Sequence, residues 1–395
     1  MTSESGNNRW LVAFSALTAV ATLALIAIGG LVTSHGAGMA VPDWPNSYGY
    51  SMFLFPVSQW IGGIFYEHTH RLMATVVGVL VVALTRWLGG KASQLPLILF
   101  GITEIVTGVI LPRISTDLKP AGYFLSGIGG VVLLAGLVWF RNQPAPRPLP
   151  MLGWLAFVAV QIQGLLGGLR VVLMWDKLGI FHAALAQLFF VLLSVIVLLN
   201  TNWWRHRMDQ STSNRLLPAI VWVTAALIFG QLVLGATMRH QHAGLAIPDF
   251  PLAYGKLWPA IDLASVQSYN AHRTEIASAQ PITGFQIALQ MVHRIGALMI
   301  LAGVTYCAAA AKRSRFKTAG YLWLALVLTQ AALGASTIWS NKAADVATAH
   351  VVVGALCLAN GTLFGIVLSR SLVRARSSEP ALVTDLPLEP SRASS

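Results

Sequence analysis

The feature that most constrains this chain is a succession of apolar runs, each about twenty residues long, separated by short polar connections. They lie near 10–33, 64–87, 94–112, 121–140, 151–171, 179–200, 216–238, 286–311, 319–339 and 346–369. A run of about 20 apolar residues spans a bilayer core as a helix, and backbone in lipid must satisfy its own hydrogen bonds. The pattern therefore predicts an all-α polytopic membrane bundle of about ten spans. Composition agrees: of 395 residues 55% are hydrophobic and 10% charged, with a mean hydropathy of +0.66. Fourteen acidic residues are too few to cover a soluble protein of this size. The first run, from Trp10 to Val32, is too long for a signal-peptide core and reads as a retained span. The third carries Glu104 inside it and Pro112 at its end.

The net charge of +12 is distributed between the runs and forms no basic stripe, which argues against nucleic acid as a partner. It reads instead as topology-setting charge. Counting Lys and Arg in alternate connections gives sixteen on the side of both termini and eight on the other. The positive-inside rule then places both termini in the cytoplasm and the loops 34–63 and 239–285 outside. The expectation is a multi-pass protein of the cell's inner (plasma) membrane, in contact with lipid. The two cysteines, Cys307 and Cys357, both fall inside apolar runs, so no disulfide framework or thiolate metal site is expected. The Ser-, Pro- and Glu-rich end from Ser377 to Ser395 reads as a disordered cytoplasmic tail.

The two long loops repeat one another. Ala37-Gly38-Met39-Ala40-Val41-Pro42-Asp43-Trp44-Pro45-Asn46-Ser47-Tyr48-Gly49 aligns with Ala243-Gly244-Leu245-Ala246-Ile247-Pro248-Asp249-Phe250-Pro251-Leu252-Ala253-Tyr254-Gly255, with eight of 13 positions identical. Downstream, His70-Arg71 answers His293-Arg294, and Gln163-Gly164-Leu165-Leu166-Gly167 answers Gln330-Ala331-Ala332-Leu333-Gly334. His182 follows Gln163 by 19 residues and His350 follows Gln330 by 20. The reading is two parallel four-helix repeats related by an axis along the membrane normal. His70 to His182 spans 112 residues but His293 to His350 only 57, and the difference is the length of an inserted two-helix hairpin near 94–140. The expected division is an N-terminal half over 1–200, a C-terminal half over 201–370, and the tail over 371–395.

Of ten histidines, His70, His182, His293 and His350 fall within or at the ends of spans at repeat-equivalent places. Ionisable groups in membrane helices are rare and usually face the bundle interior. Two imidazoles per half, on separate helices, can clamp one haem iron axially. Interhelical hydrogen bonding is the alternative for a lone histidine; two pairs repeated in register favour ligands. Glu67, His70 and Arg71 stand at i, i+3 and i+4 and share one helix face, whereas His68 points away and reads as a packing residue. Arg71 and Arg294 follow the ligand candidates and would bind haem propionates, or else form a salt bridge or an interfacial charge. Glu67 precedes His70 by three residues, but Gln290 holds the equivalent place before His293. A carboxylate can carry a proton and an amide cannot, so the first half reads as the chemically active one. Gly29, Gly167, Gly235 and Gly334 would let helices or a flat macrocycle approach closely. His35, His240 and His242 read as solvated loop histidines.

Taken in order, Gly29-Gly30-Leu31-Val32-Thr33, Pro42-Asp43-Trp44-Pro45, Glu67-His68-Thr69-His70-Arg71, Gln163-Gly164-Leu165-Leu166-Gly167-Gly168 and His182, then repeated, resemble the heme A synthase family over about residues 10 to 370. The resemblance implies an oxidoreductase that converts the C8 methyl of haem O to the formyl group of haem A for cytochrome c oxidase, through two oxidations and loss of water. It makes Glu67 the catalytic acid, places His70 and His182 about the substrate haem, and gives His293 and His350 to a haem b cofactor. A haem O synthase and an electron donor would be its partners, and an oligomer is compatible with it. Two departures stand out: no external loop carries the cysteine pair of some members, and the hairpin makes ten spans instead of eight. The rival readings are a non-catalytic di-haem cytochrome b carrying electrons from quinol, and a transporter built from repeats.

Overall fold

The computed structural model describes residues 9–138, 144–206, 216–272 and 281–378. The described residues are helical, without strands, and nine stretches are long and apolar enough to cross a membrane. One of these, Gly62–Ile114, has 53 residues. At about 1.5 Å per residue it would reach roughly 80 Å, far beyond a hydrocarbon core of about 30 Å. It is two helices: Gly90, at φ +52°, breaks the run, and a short 3-10 turn reverses the chain. The ten expected apolar runs therefore all appear as membrane-length helices.

In chain order these elements are α1 (Arg9–Ser34), α2 (Gly62–Gly89), α3 (Gln94–Ile114), α4 (Lys119–Leu137), α5 (Leu149–Val172) and α6 (Leu178–Asn200). A short α7 (Asn202–His206) precedes α8 (Leu217–His240), and α9 (Leu263–Ala271) lies within the second long loop. α10 (Gly284–Ala311), α11 (Lys317–Trp339) and α12 (Ala344–Ser378) complete the chain. Proline near the first turn starts α4, α5 and α8, where a missing N–H costs nothing. Thr283 and Gln286 form a capping box on α10. α12 runs past the expected end of its span; residues 379–395 of the expected tail lie outside the described residues.

α1, α2, α5 and α6 pack around one another as a ring of four, and α8, α10, α11 and α12 do the same. The rings meet through α1 and α6 on one side and α8 and α12 on the other, so each ring gives its first and last helix to the contact. A continuous apolar core including Leu84, Leu193, Ile196, Val221, Val304, Trp323 and Leu368 runs through both rings. The α3–α4 hairpin stands outside, against α2, with Glu104 of α3 accepting a hydrogen bond from Gln161 of α5 at 2.8 Å. Arg239 at the end of α8 donates to the Gly30 carbonyl of α1 at 2.8 Å, which puts both long loops at the same end of the bundle.

Candidate functional site

At that end the two long loops share one turn. The Asp43 carboxylate accepts from the backbone N–H groups of Tyr48 and Gly49, both at 2.8 Å; Asp249 accepts from Tyr254 at 2.7 Å and Gly255 at 2.9 Å. Tyr48 and Tyr254 both take positive φ, as does the glycine that follows each. The Tyr48 hydroxyl donates to Ala40, and that of Tyr254 to Ala246. Short polar side chains closing their own turns explain why the aspartate and glycine recur in the repeat.

Each loop is then clamped to the helix that carries its histidine. Glu67 Oε2 accepts from Val41 N at 2.8 Å, and in the equivalent place Gln290 Oε1 accepts from Ile247 N at 2.8 Å. Arg71 gives its guanidinium to the carbonyls of Val41, Asp43 and Asn46, and pairs with Glu67 Oε1 at 2.8 Å. Arg294 similarly donates to the Asp249 carbonyl at 2.7 Å and that of Leu252 at 2.8 Å. The ion pair weighed for Arg71 is thus present, and both arginines spend their donors on loop backbone. His68 is fully buried, shares a 3.0 Å hydrogen bond with Ser47, and packs against Phe55 and Trp60, as a packing residue should.

The four repeated histidines all line one cavity of about 1610 Å³ that runs through both rings. That exceeds the usual few hundred to 1,000 Å³ of a single-ligand pocket. His70 and His182 face each other with ring centroids 6.5 Å apart and planes at 82°. Two imidazoles bonded to one metal at about 2 Å each would stand roughly 6 Å apart, so the spacing suits an ion between them. Each ring also lies against a glycine of the preceding helix in its ring: His70 at Gly29, His182 at Gly167, His293 at Gly235 and His350 at Gly334. A β-carbon would stand 3.0 Å from the His70 ring at Gly29 and 3.1 Å from the His350 ring at Gly334, and would make ordinary contact at Gly167 and Gly235. The Nδ1 atoms of His70, His182 and His293 are buried without a partner, whereas His350 Nδ1 faces the Gln330 carbonyl at 3.1 Å. Orphaned buried imidazole nitrogens are costly in isolation and fit groups awaiting a ligand. Among the described residues no three His, Cys, Asp or Glu side chains gather as a metal cluster. His70 and His182 face each other across an apolar cavity at a spacing that would admit a metal held between two imidazoles, as a porphyrin iron is.

Several cavity residues had drawn no functional reading from the sequence. In the sequence Arg170, Arg239 and Lys342 read as topology charges and His240 as a solvated loop residue. All four line the cavity. Asp176, in the turn between α5 and α6, accepts from Arg170 at 2.7 Å and pairs with His240 Nδ1 at 2.9 Å. Burial raises the Asp176 pKa, but the hydrogen bonds from His240 and Arg170 outweigh it and hold the carboxyl below its ordinary range. Glu104 also reaches the cavity; its Oε2 is buried and unpartnered. His35 stacks on Tyr66 at 4.0 Å, away from the histidine pairs. A spacing argument finds residues that repeat, and Arg170 and Lys342 come from positions where the halves differ in residue type.

Comparison with known proteins supplies the family. Residues 124–361 match the model of the cytochrome oxidase assembly protein family. A heme A synthase of Shewanella oneidensis is 22% identical over 350 residues, covering 85% of this chain and 89% of the relative. One from Nitrosomonas eutropha is 22% identical over 384 residues, covering 90% and 91%. One from Caulobacter sp. strain K31 is 23% identical over 395 residues, covering 91% and 96%. With a helical bundle of membrane-length spans and paired histidines along its cavity, the chain belongs to the heme A synthase family of cytochrome oxidase assembly proteins.

Proposed function

We propose that the chain is a heme A synthase, oxidising the C8 methyl of haem O to the formyl group of haem A. The observation that carries this reading is the buried Glu67 beside His70 on the cavity wall, where the other half has Gln290 beside His293. Both side chains accept the same bond from loop backbone, and Glu67 alone also pairs with the arginine that follows. What an amide cannot supply is the ion pair to Arg71 and, at a site of methyl oxidation, the uptake of a released proton.

In this reading residues 1–200 form the substrate unit, with His70 and His182 flanking haem O. Residues 201–370 form the cofactor unit, with His293 and His350 holding haem b, which when bound supplies one-electron transfer. Arg71 pairs with Glu67 and holds the first loop, and Arg294 fixes the second; both act on the haem sites through the backbone they hold. Trp44, which lies over Gly168 and 4.9 Å from Phe124, covers the first site at the loop end. Phe250, 6.0 Å from Trp339, does the same at the second. The protein sits in the inner membrane with these loops outside, receives haem O from its synthase, and passes electrons to or from a separate carrier.

The test is to express the chain with a haem O synthase in a host lacking haem A, then extract and separate the haems. Haem A should appear. Haem b alone, with haem O supplied and unconverted, would favour the electron-carrying cytochrome instead.

A further inference from the structure

The loop end of the cavity holds more fixed positive charge than the protein neutralises. Arg170, Arg239 and Lys342 all line it. Among the described residues the one carboxylate paired with any of them is Asp176, which Arg170 shares with His240. Arg239 donates to the Gly30 carbonyl at 2.8 Å and to the Ser34 hydroxyl, both neutral, and its Nε is buried without a partner. The Lys342 ammonium has no hydrogen bond or ion pair among the described residues. Burial and the nearby Arg239 both push its pKa below the ordinary value. Partly buried cations set beside each other without counter-charge are expensive, and such an arrangement persists where a ligand supplies the anion.

Placement narrows the choice of anion. Arg170 packs over Gly38 and Lys342 over Gly244, equivalent glycines of the two loops. Arg170 stands one helical turn beyond Gly167, the glycine against His182, and Arg239 one turn beyond Gly235, the glycine against His293. Each histidine pair thus has a cation of its own on the loop side. Arg71 and Arg294 line the cavity too, but their terminal nitrogens are given to loop carbonyls, with Arg294 Nε alone left buried without a partner. Arginine forks and lysine ammonium groups are the usual partners of carboxylates and phosphates.

We infer that Arg170 binds a carboxylate of the porphyrin held between His70 and His182, and that Arg239 with Lys342 binds a carboxylate of the porphyrin held between His293 and His350. This rests on the reading that the histidine pairs hold porphyrins. The same cations could serve a phosphate of the lipid headgroups, and the experiment separates the two sources.

Haem-depleted protein in detergent is titrated with protohaem and with its dimethyl ester, which has the same ring and iron but no free carboxylate, and binding is read from the Soret band. The wild-type chain should prefer the diacid by roughly tenfold or more, the scale of a charge-assisted hydrogen bond. Lys342→Met should cut that preference several-fold and Lys342→Arg should keep it. Lys342 carries the test because it makes no bond that folding needs, whereas Arg239→Met also removes a tie to α1. An unchanged diacid-to-ester ratio in both Lys342→Met and Arg239→Met overturns the assignment. So does loss of co-purified phospholipid from those variants with the ratio intact, which would give the cations to lipid. A chain that makes no haem A yet shows the Lys342-dependent ratio would retire the synthase reading and leave this one standing.

Discussion

At the scale of single residues the account turns on Glu67 and Gln290. Both accept from loop backbone, at Val41 N and Ile247 N, so Glu67→Gln keeps that tie and gives up the charge together with the ion pair to Arg71. Glu67→Gln should therefore fold and keep haem b while lowering haem A formation by about a hundredfold or more, the scale of a lost proton-transfer group. Haem extraction set against the thermal stability of the same preparation checks this; near-normal haem A would remove Glu67 from the chemistry. The four histidines and the Glu67/Gln290 difference were legible in the sequence because repetition marks them. The roles of Arg71 and Arg294 were not, because their partners are backbone carbonyls and any residue can supply a carbonyl. Arg170 and Lys342 were hidden for another reason: each ends or follows a span, where a basic residue needs no explanation beyond topology.

At the scale of elements, the α3–α4 hairpin stands outside the two rings. Gly101 and Gly108 of α3 meet Gly129 and Gly122 of α4, and a β-carbon at Gly129 would stand 2.7 Å from the Gly101 carbonyl and 2.8 Å from Ile105 N. Those are backbone atoms that cannot swing aside, so the two helices approach as closely as their main chains allow. Gly129→Leu should force them apart and destabilise the hairpin by about 1–3 kcal/mol or more, lowering the unfolding temperature. The haem b spectrum should survive, because the second ring of helices makes no use of the hairpin; its loss would show that the hairpin supports the whole bundle. The hairpin was legible as excess length between His70 and His182. Its attachment was not: the hydrogen bond from Gln161 to Glu104 joins residues 57 apart whose pairing no spacing announces. The break between α2 and α3 was legible as the gap between the apolar runs near 64–87 and 94–112, where Gly90 turns the chain.

At the scale of the whole molecule, two rings of four helices share one cavity but differ in what they place along it. The loops, glycines and histidines correspond between them, while the carboxylate beside the histidine belongs to the first ring alone. One substrate site and one resident cofactor site, joined through α1, α6, α8 and α12, is the division of labour that this asymmetry supports. The topology of spans could be read from hydropathy, but the shared cavity could not, since it arises where helices far apart in sequence come together. The most direct test is the pigment retained by four single variants, purified after expression with haem O supply. His293→Ala and His350→Ala should lose haem b, while His70→Ala and His182→Ala should keep haem b and form no haem A. Loss of haem b from His70→Ala with its retention in His293→Ala would contradict the assignment of the two sites.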